Sequence, residues 1–118
     1  MKHTIRIKRV YETRSAKDGI CFLVDRVWPR GIRKESLSGV QWLRDVAPST
    51  ELRKWFGHQP VRWADFQRRY RGELEGNPES WKPLLAAVKK GDLTLLYSAK
   101  DERMNQAVVL KEFLEDRE

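Results

Sequence analysis

The sequence predicts one α/β domain: a small three-layer sandwich-like fold, its few-stranded, mostly parallel or mixed sheet flanked by about five helices. Three observations predict it. Residues 20–27 are apolar on both alternating sets, as in a strand covered on both faces. Trp63, Phe66, Tyr70 and Leu74 recur at spacings of 3, 4 and 4, one stripe of an amphipathic helix. Strand-like and helix-like patterns also alternate along the chain, with no linker, repeat or low-complexity stretch between them. At 118 residues the chain builds one core, so a single domain spans 1–118.

The elements follow in order. Ile5 and Ile7 against Arg6 and Lys8, then Val10 and Tyr11, give a rough period of two and a half-buried strand. Thr13 to Gly19 is polar and closes on the turn signal Asp18-Gly19. The second strand follows over 20–27 and stops before Pro29, which lacks an N–H and restricts Trp28. The short link between these strands leaves them either antiparallel or not adjacent. After Gly31 the pattern turns helical for about sixty residues. Leu37, Val40 and Leu43 have helical spacing, and Pro48-Ser49-Thr50 breaks and caps a short helix that Gly57 stops. The Trp63–Leu74 stripe comes next. Asn77-Pro78 opens a further helix carrying Trp81, Leu84, Leu85 and Val88, with Pro83 marking an irregularity and Gly91 the end. Leu93 to Tyr97 is a third strand. Ser98-Ala99-Lys100-Asp101 leads into a last helix with Met104, Ala107, Val108, Leu110 and Leu114.

Only 40% of residues are hydrophobic and 35% are charged, but five Trp, four Phe and three Tyr supply the area a small core needs. The net charge of +7 is unevenly placed: residues 1–34 hold ten Lys and Arg against three acids, and the rest of the chain balances. Such a field favours anionic partners. Cys21 is the only cysteine, so no intramolecular disulfide forms, and its place in the apolar run marks a core residue. No apolar signal segment or membrane-length run is present, so a cytoplasmic location with no membrane partner is expected.

Three polar clusters carry the candidate chemistry. The first is Asp25 to Gly31, at the end of the second strand, where ligands of open α/β sheets bind. Asp25 is the candidate acid or base. Arg26 and Arg30 offer guanidinium forks to a phosphate or carboxylate, and the Trp28 ring offers a stacking surface. Against this, Asp25 is equally explained as the ion-pair partner of Arg26 or Arg30, and Trp28 as core. The second cluster is Leu52 to His58, in which Arg53 is a ligand-holding cation and His58, in a loop before Pro60, a second acid–base candidate. The third is Tyr97 to Asp101, where Lys100 and the amides of a helix start form an anion site, Asp101 caps the helix, and Asn105 lies a turn further on.

Absent motifs narrow the field. There is no Walker loop, G-x-G-x-x-G, H-E-x-x-H or G-x-S-x-G. A cysteine phosphatase needs a Cys at a strand end before an anion-cradling loop, and none exists. Two histidines and one cysteine argue against a zinc site. No metal and no cofactor are expected.

The blocks Val24-Asp25-Arg26-Val27-Trp28-Pro29-Arg30-Gly31, Ala47 through His58, Trp63 through Tyr70, and Leu95-Leu96-Tyr97-Ser98-Ala99-Lys100-Asp101 span most of the chain. Together they resemble the signature blocks of the YeaO-like branch of the bacterial family catalogued as domain of unknown function 488. The resemblance implies a compact α/β domain in a cytoplasmic bacterial protein, and brings no activity with it. Longer relatives in that family carry a Cys after the last strand and a Cys-His-Arg motif in the following helix. This chain has Tyr97-Ser98 and Met104-Asn105-Gln106 there, so thiol or histidine chemistry is not carried over.

The expected function is the binding of a small phosphate-bearing or other anionic ligand at the carboxyl ends of the strands, with or without turnover. The alternatives are a nucleic-acid-binding module using the basic first third and a protein-interaction domain without catalysis. Neither the ligand nor the oligomeric state is legible.

Overall fold

The computed structural model describes residues 3–118. Four strands form one sheet in the order β1-β4-β2-β3, from β1 (Ile5–Arg9), β2 (Ile20–Leu23), β3 (Gln41–Trp42) and β4 (Leu93–Tyr97). Every pairing is parallel: Ile5 stands opposite Leu93, Ile20 opposite Leu93 on the other side, and Phe22 opposite Gln41. β1 and β2 are therefore not neighbours, because β4 lies between them. That position explains why all five residues of β4 are buried.

Four α-helices complete the α/β domain: α1 (Thr50–Phe56), α2 (Trp63–Glu75), α3 (Pro78–Lys90) and α4 (Gln106–Glu115). They belong to one large core with Phe22 from β2, Val24 just after it, and Leu93, Leu95 and Tyr97 from β4. The stripe of α2 packs as the spacing requires, with the Phe66 ring stacked on Phe56 and Trp63 and tilted against Tyr70. The Tyr70 hydroxyl, wholly buried, donates to the Val46 carbonyl at 2.6 Å. The opposite face of the sheet is covered by loops and 3-10 turns rather than helices. There Val10, Cys21, Leu23, Leu37 and Leu96 form a smaller cluster with Trp28, Ile32, Val40 and Trp42.

The segment after Gly31 differs most from expectation, and it is why four α-helices form where about five were expected. Leu37, Val40 and Leu43 do not share a helix. Lys34–Leu37 and Arg44–Val46 are 3-10 turns around the two-residue β3. Gly39 has φ +82°, a conformation that ends a right-handed helix. Other differences are local. β2 stops at Leu23 instead of 27, because the chain leaves the sheet before Asp25. Pro83 stands on an exposed face of an unbroken α3. Asn77 starts α3 without a side-chain cap. Ser49 caps α1 as expected, accepting from the Leu52 amide at 3.1 Å, and Gly57 closes it in the left-handed region at φ +51°.

Candidate functional site

Three segments distant in sequence close on one cavity of about 330 Å³, near the lower end of the range for small-ligand sites. Asp25–Arg30 enters from the end of β2. The second wall runs from Ala47 through Arg53, Phe56 and His58. Ser98 and Ala99, at the end of β4, complete it with Met104, Asn105 and Gln106 at the start of α4. The cavity thus lies beyond the carboxyl ends of β2 and β4. Asp25, Arg26, Trp28, Arg30, Arg53, His58 and Asn105 all line it. Lys100 does not: it is exposed and off the lining, on the solvent side of the turn after β4.

The floor carries the sharpest chemistry. Asp25 is only 7% exposed. One carboxylate oxygen, Oδ1, accepts from Gln106 Nε2 at 2.6 Å. The other, Oδ2, is buried and has no hydrogen-bond partner among the described residues. Burial raises the Asp25 pKa above the ordinary carboxylate value, while Ser98, Gln106 and Arg53 pull it partway back. The expected pairing of Asp25 with Arg26 or Arg30 does not form.

Arg26 is committed elsewhere. Its Nε donates to the Pro48 carbonyl at 2.8 Å and its Nη2 to the Ala47 carbonyl at 3.0 Å, so it ties the second wall to the end of β2. Arg9 does the same for the third segment, donating to the Ala99 and Ser98 carbonyls at 2.9 and 3.1 Å. Two arginines thus fix two walls through backbone carbonyls, a use for which the guanidinium fork is well shaped. Trp28 is also largely structural. Its indole N–H donates to the Ile32 carbonyl at 2.7 Å and its ring meets Trp42 edge-on at 5.3 Å.

The lining arginines without such backbone commitments are Arg30 and Arg53. Both are exposed at the cavity, and neither takes part in an ion pair among the described residues. His58 stands at the rim in the left-handed region, φ +58°, uncommon for a residue with a Cβ. It contributes to holding the Asp101 carboxyl below its ordinary value, after the larger effect of the Met104 and Arg103 amides.

Those two amides, each 2.9 Å from Asp101 Oδ1, show why Asp101 does not cap the last helix. It closes a turn, and the helix begins later. Asn105 is the true cap: its Oδ1 accepts from the Val108 amide at 3.1 Å and its Nδ2 donates to the Asp101 carbonyl at 2.9 Å. Met104 consequently lies outside α4. This shift puts Gln106 at the first helical position, beside Asp25, where the sequence reading did not place it. The available signal was Asn105 itself, a strong capping residue one position before Gln106. Ser98, Phe56 and Phe66 were also missed as lining residues; the two rings form an apolar side to the cavity.

Residues 4–118 match the family described as the inactive DUF488-N3 subclade. The chain belongs to the DUF488 family. Among DUF488 relatives it is 46% identical over 110 residues to the uncharacterized protein YeaO of Escherichia coli strain K12, covering 93% of this chain and 96% of that one. It is 38% identical over 113 residues to the uncharacterized protein Rv3073c of Mycobacterium tuberculosis strain H37Rv, covering 96% and 95%. No solved structure matches it. The YeaO-like resemblance read from the signature blocks therefore holds over the whole described chain. No described helix of this DUF488 domain is long and apolar enough to cross a membrane.

Proposed function

We propose that this domain binds a small anionic, phosphate-bearing ligand in the cavity at the carboxyl ends of β2 and β4, and that binding rather than turnover is its work. The observation that carries this reading is the convergence of Arg30, Arg53 and the first turn of α4 on one cavity. Neither guanidinium forms an ion pair among the described residues, and a helix start favours an anion through its first-turn amides. The absence of a thiol at the end of β4, where Tyr97-Ser98 stands, favours binding without a covalent step. The matched subclade is described as inactive, which points the same way.

The nucleic-acid alternative draws less support. Several of the basic residues that give the first third its charge are engaged within the fold: Arg6 and Arg14 on backbone carbonyls, Lys8 on Asp18, and Arg9 and Arg26 as above. A thermal-melting screen at fixed ionic strength separates the readings. Phosphate, sugar phosphates, nucleotides and short oligonucleotides are compared on wild type, Arg53→Ala and Arg30→Ala. A ligand at about 100 times its dissociation constant adds about 2.7 kcal/mol to native stability. Selective stabilisation by one small anion, weakened about tenfold or more in Arg53→Ala, is the expected result. Stabilisation by oligonucleotides alone, fading steeply with salt, would replace the proposal with nucleic-acid binding.

A further inference from the structure

The cavity's cations explain why an anion would enter, but not why so much of the rest of the lining is carbon. Beside Arg30 and Arg53 stand Val27, Trp28, Phe56, Phe66 and Met104. Phe56 and Phe66 belong to the core and stack on each other at 4.5 Å, so that part of the wall is rigid. Val27 is different. Among the described residues four large hydrophobic side chains are exposed, Tyr11, Ile20, Val27 and Val61, and of these Val27 alone lines the cavity, at 59% exposure. Met104 and Trp28 are half-buried there, and the Trp28 ring is already fixed by Trp42 and the Ile32 carbonyl. Apolar surface left open beside two guanidiniums is surface that the apolar part of a ligand would remove from water.

Resting on the anion-binding reading above, we propose that the ligand is an anion joined to one apolar ring, an aryl phosphate in chemical class. Its phosphoryl group faces Arg30 and Arg53, and its ring covers Val27, Trp28 and Met104. A bare phosphate would use the guanidiniums and leave the apolar wall wet. A polar body would cover the wall only by stranding its hydroxyls against carbon. The size agrees: a cavity of about 330 Å³ lies near the low end for small-ligand sites, which suits one ring with its anion better than a long acyl chain or a dinucleotide. Sites for small molecules are mostly apolar, with a few polar groups that fix orientation, and this lining has that make-up. A ring already held in place, as Trp28 is, loses little freedom when a ligand arrives.

Inorganic phosphate, glycerol phosphate and phenyl phosphate supply the test, by calorimetric titration of the wild-type chain at matched pH and ionic strength. Removing about 60 Å² of apolar surface from water is worth about tenfold in affinity, so phenyl phosphate should bind at least about tenfold tighter than either of the others. Its heat capacity of binding should also be more negative than that of glycerol phosphate. In Val27→Ser the preference for phenyl phosphate should narrow by at least about threefold. Equal affinity for phenyl phosphate and inorganic phosphate overturns the ring inference and leaves anion binding intact. Equal affinity for phenyl and glycerol phosphates overturns it too, since size rather than apolar character would then decide. Benzyl alcohol binding as tightly as phenyl phosphate overturns the anion reading, as does binding of none of the three phosphates, and this inference falls with it. The wild-type comparison needs no variant, so a poorly folded Val27→Ser does not blunt it.

Discussion

Asp18 and Asp25 stand at opposite ends of β2, two residues before it and two residues after, and both are buried. Their surroundings differ completely. The Asp18 carboxylate receives Lys8 Nζ at 2.7 Å and the Ser15 amide at 2.8 Å, and the Thr94 hydroxyl donates to its backbone carbonyl at 2.7 Å. The Lys8 hydrogen bond, followed by the Ser15 amide, holds its pKa below the ordinary carboxylate value. Asp25 has one donor and one empty oxygen, and burial pushes its pKa the other way. The same residue type flanking the same strand is a completed structural joint at one end and a half-bonded carboxyl at the other. The amino-terminal end of this sheet carries a fully bonded acid, and the carboxyl end carries an acid bonded on one oxygen at the floor of a cavity.

Three substitutions would break or sharpen that contrast. The largest effect is expected at the satisfied end. Asp18→Ala leaves Lys8 without its acid and the Ser15 amide without an acceptor, and should cost about 3 kcal/mol in chemical denaturation. A loss below about 1 kcal/mol would show that the joint is replaceable by water. Next comes Arg26→Met, which keeps the aliphatic stem but drops the bonds to Ala47 and Pro48. It should cost about 1–2 kcal/mol and loosen the cavity wall, so that ligand stabilisation falls even though Arg26 faces no ligand with a free fork. Unchanged ligand response would remove Arg26 from the positioning of the site.

The smallest effect, and the one of opposite sign, belongs to Asp25. Asp25→Asn removes a buried charge with an empty oxygen, so stability at neutral pH should rise by up to about 1 kcal/mol. The pH dependence carries the sign. A carboxyl whose folded pKa is raised holds its proton better in the native state. Its contribution is therefore greatest in acid and declines as pH rises from the ordinary carboxylate value through the raised one. The gap between variant and wild type should narrow on acidification through that window. Asp18 behaves oppositely: its contribution is complete above the ordinary value and is lost as pH falls through the lowered one. Denaturation midpoints of both variants across the acid range, measured against wild type, would expose two curves of opposite slope. Parallel curves would mean that the two ends of β2 are alike after all.

Much of the architecture was legible because it rests on strong local patterns. The Trp63–Leu74 stripe, the Ser49 cap, the Gly57 stop and the apolar β4 are each set within a few residues. β3 was not legible, since a two-residue strand leaves no periodicity and Trp42 is held by packing on Trp28 and by donating its indole N–H to the Asp25 carbonyl. The start of α4 was misread because Asp101 and Asn105 are both good caps, and only the turn at Arg103 and Met104 decides between them. For the site, the strand-end placement of Asp25 and Arg30 could be read from Pro29 and the apolar run before it. The commitments of Arg26 and Arg9 to backbone carbonyls could not, because those partners lie 21 to 90 residues away.

The position of β4 between β1 and β2 has a consequence for how the chain comes to be made. Its two sheet neighbours are synthesised well before it, yet they pair with β4 and not with each other. Ile5 must wait for Leu93. Until β4 has been synthesised, β1 and β2 lack their partner and the cavity walls after β4 do not exist. Assembly of the sheet is therefore a late event that closes a long loop, and such topologies fold slowly. A nascent chain stalled before Leu93 should be protease-sensitive throughout its first forty or so residues, and release of the final helix should protect both ends together.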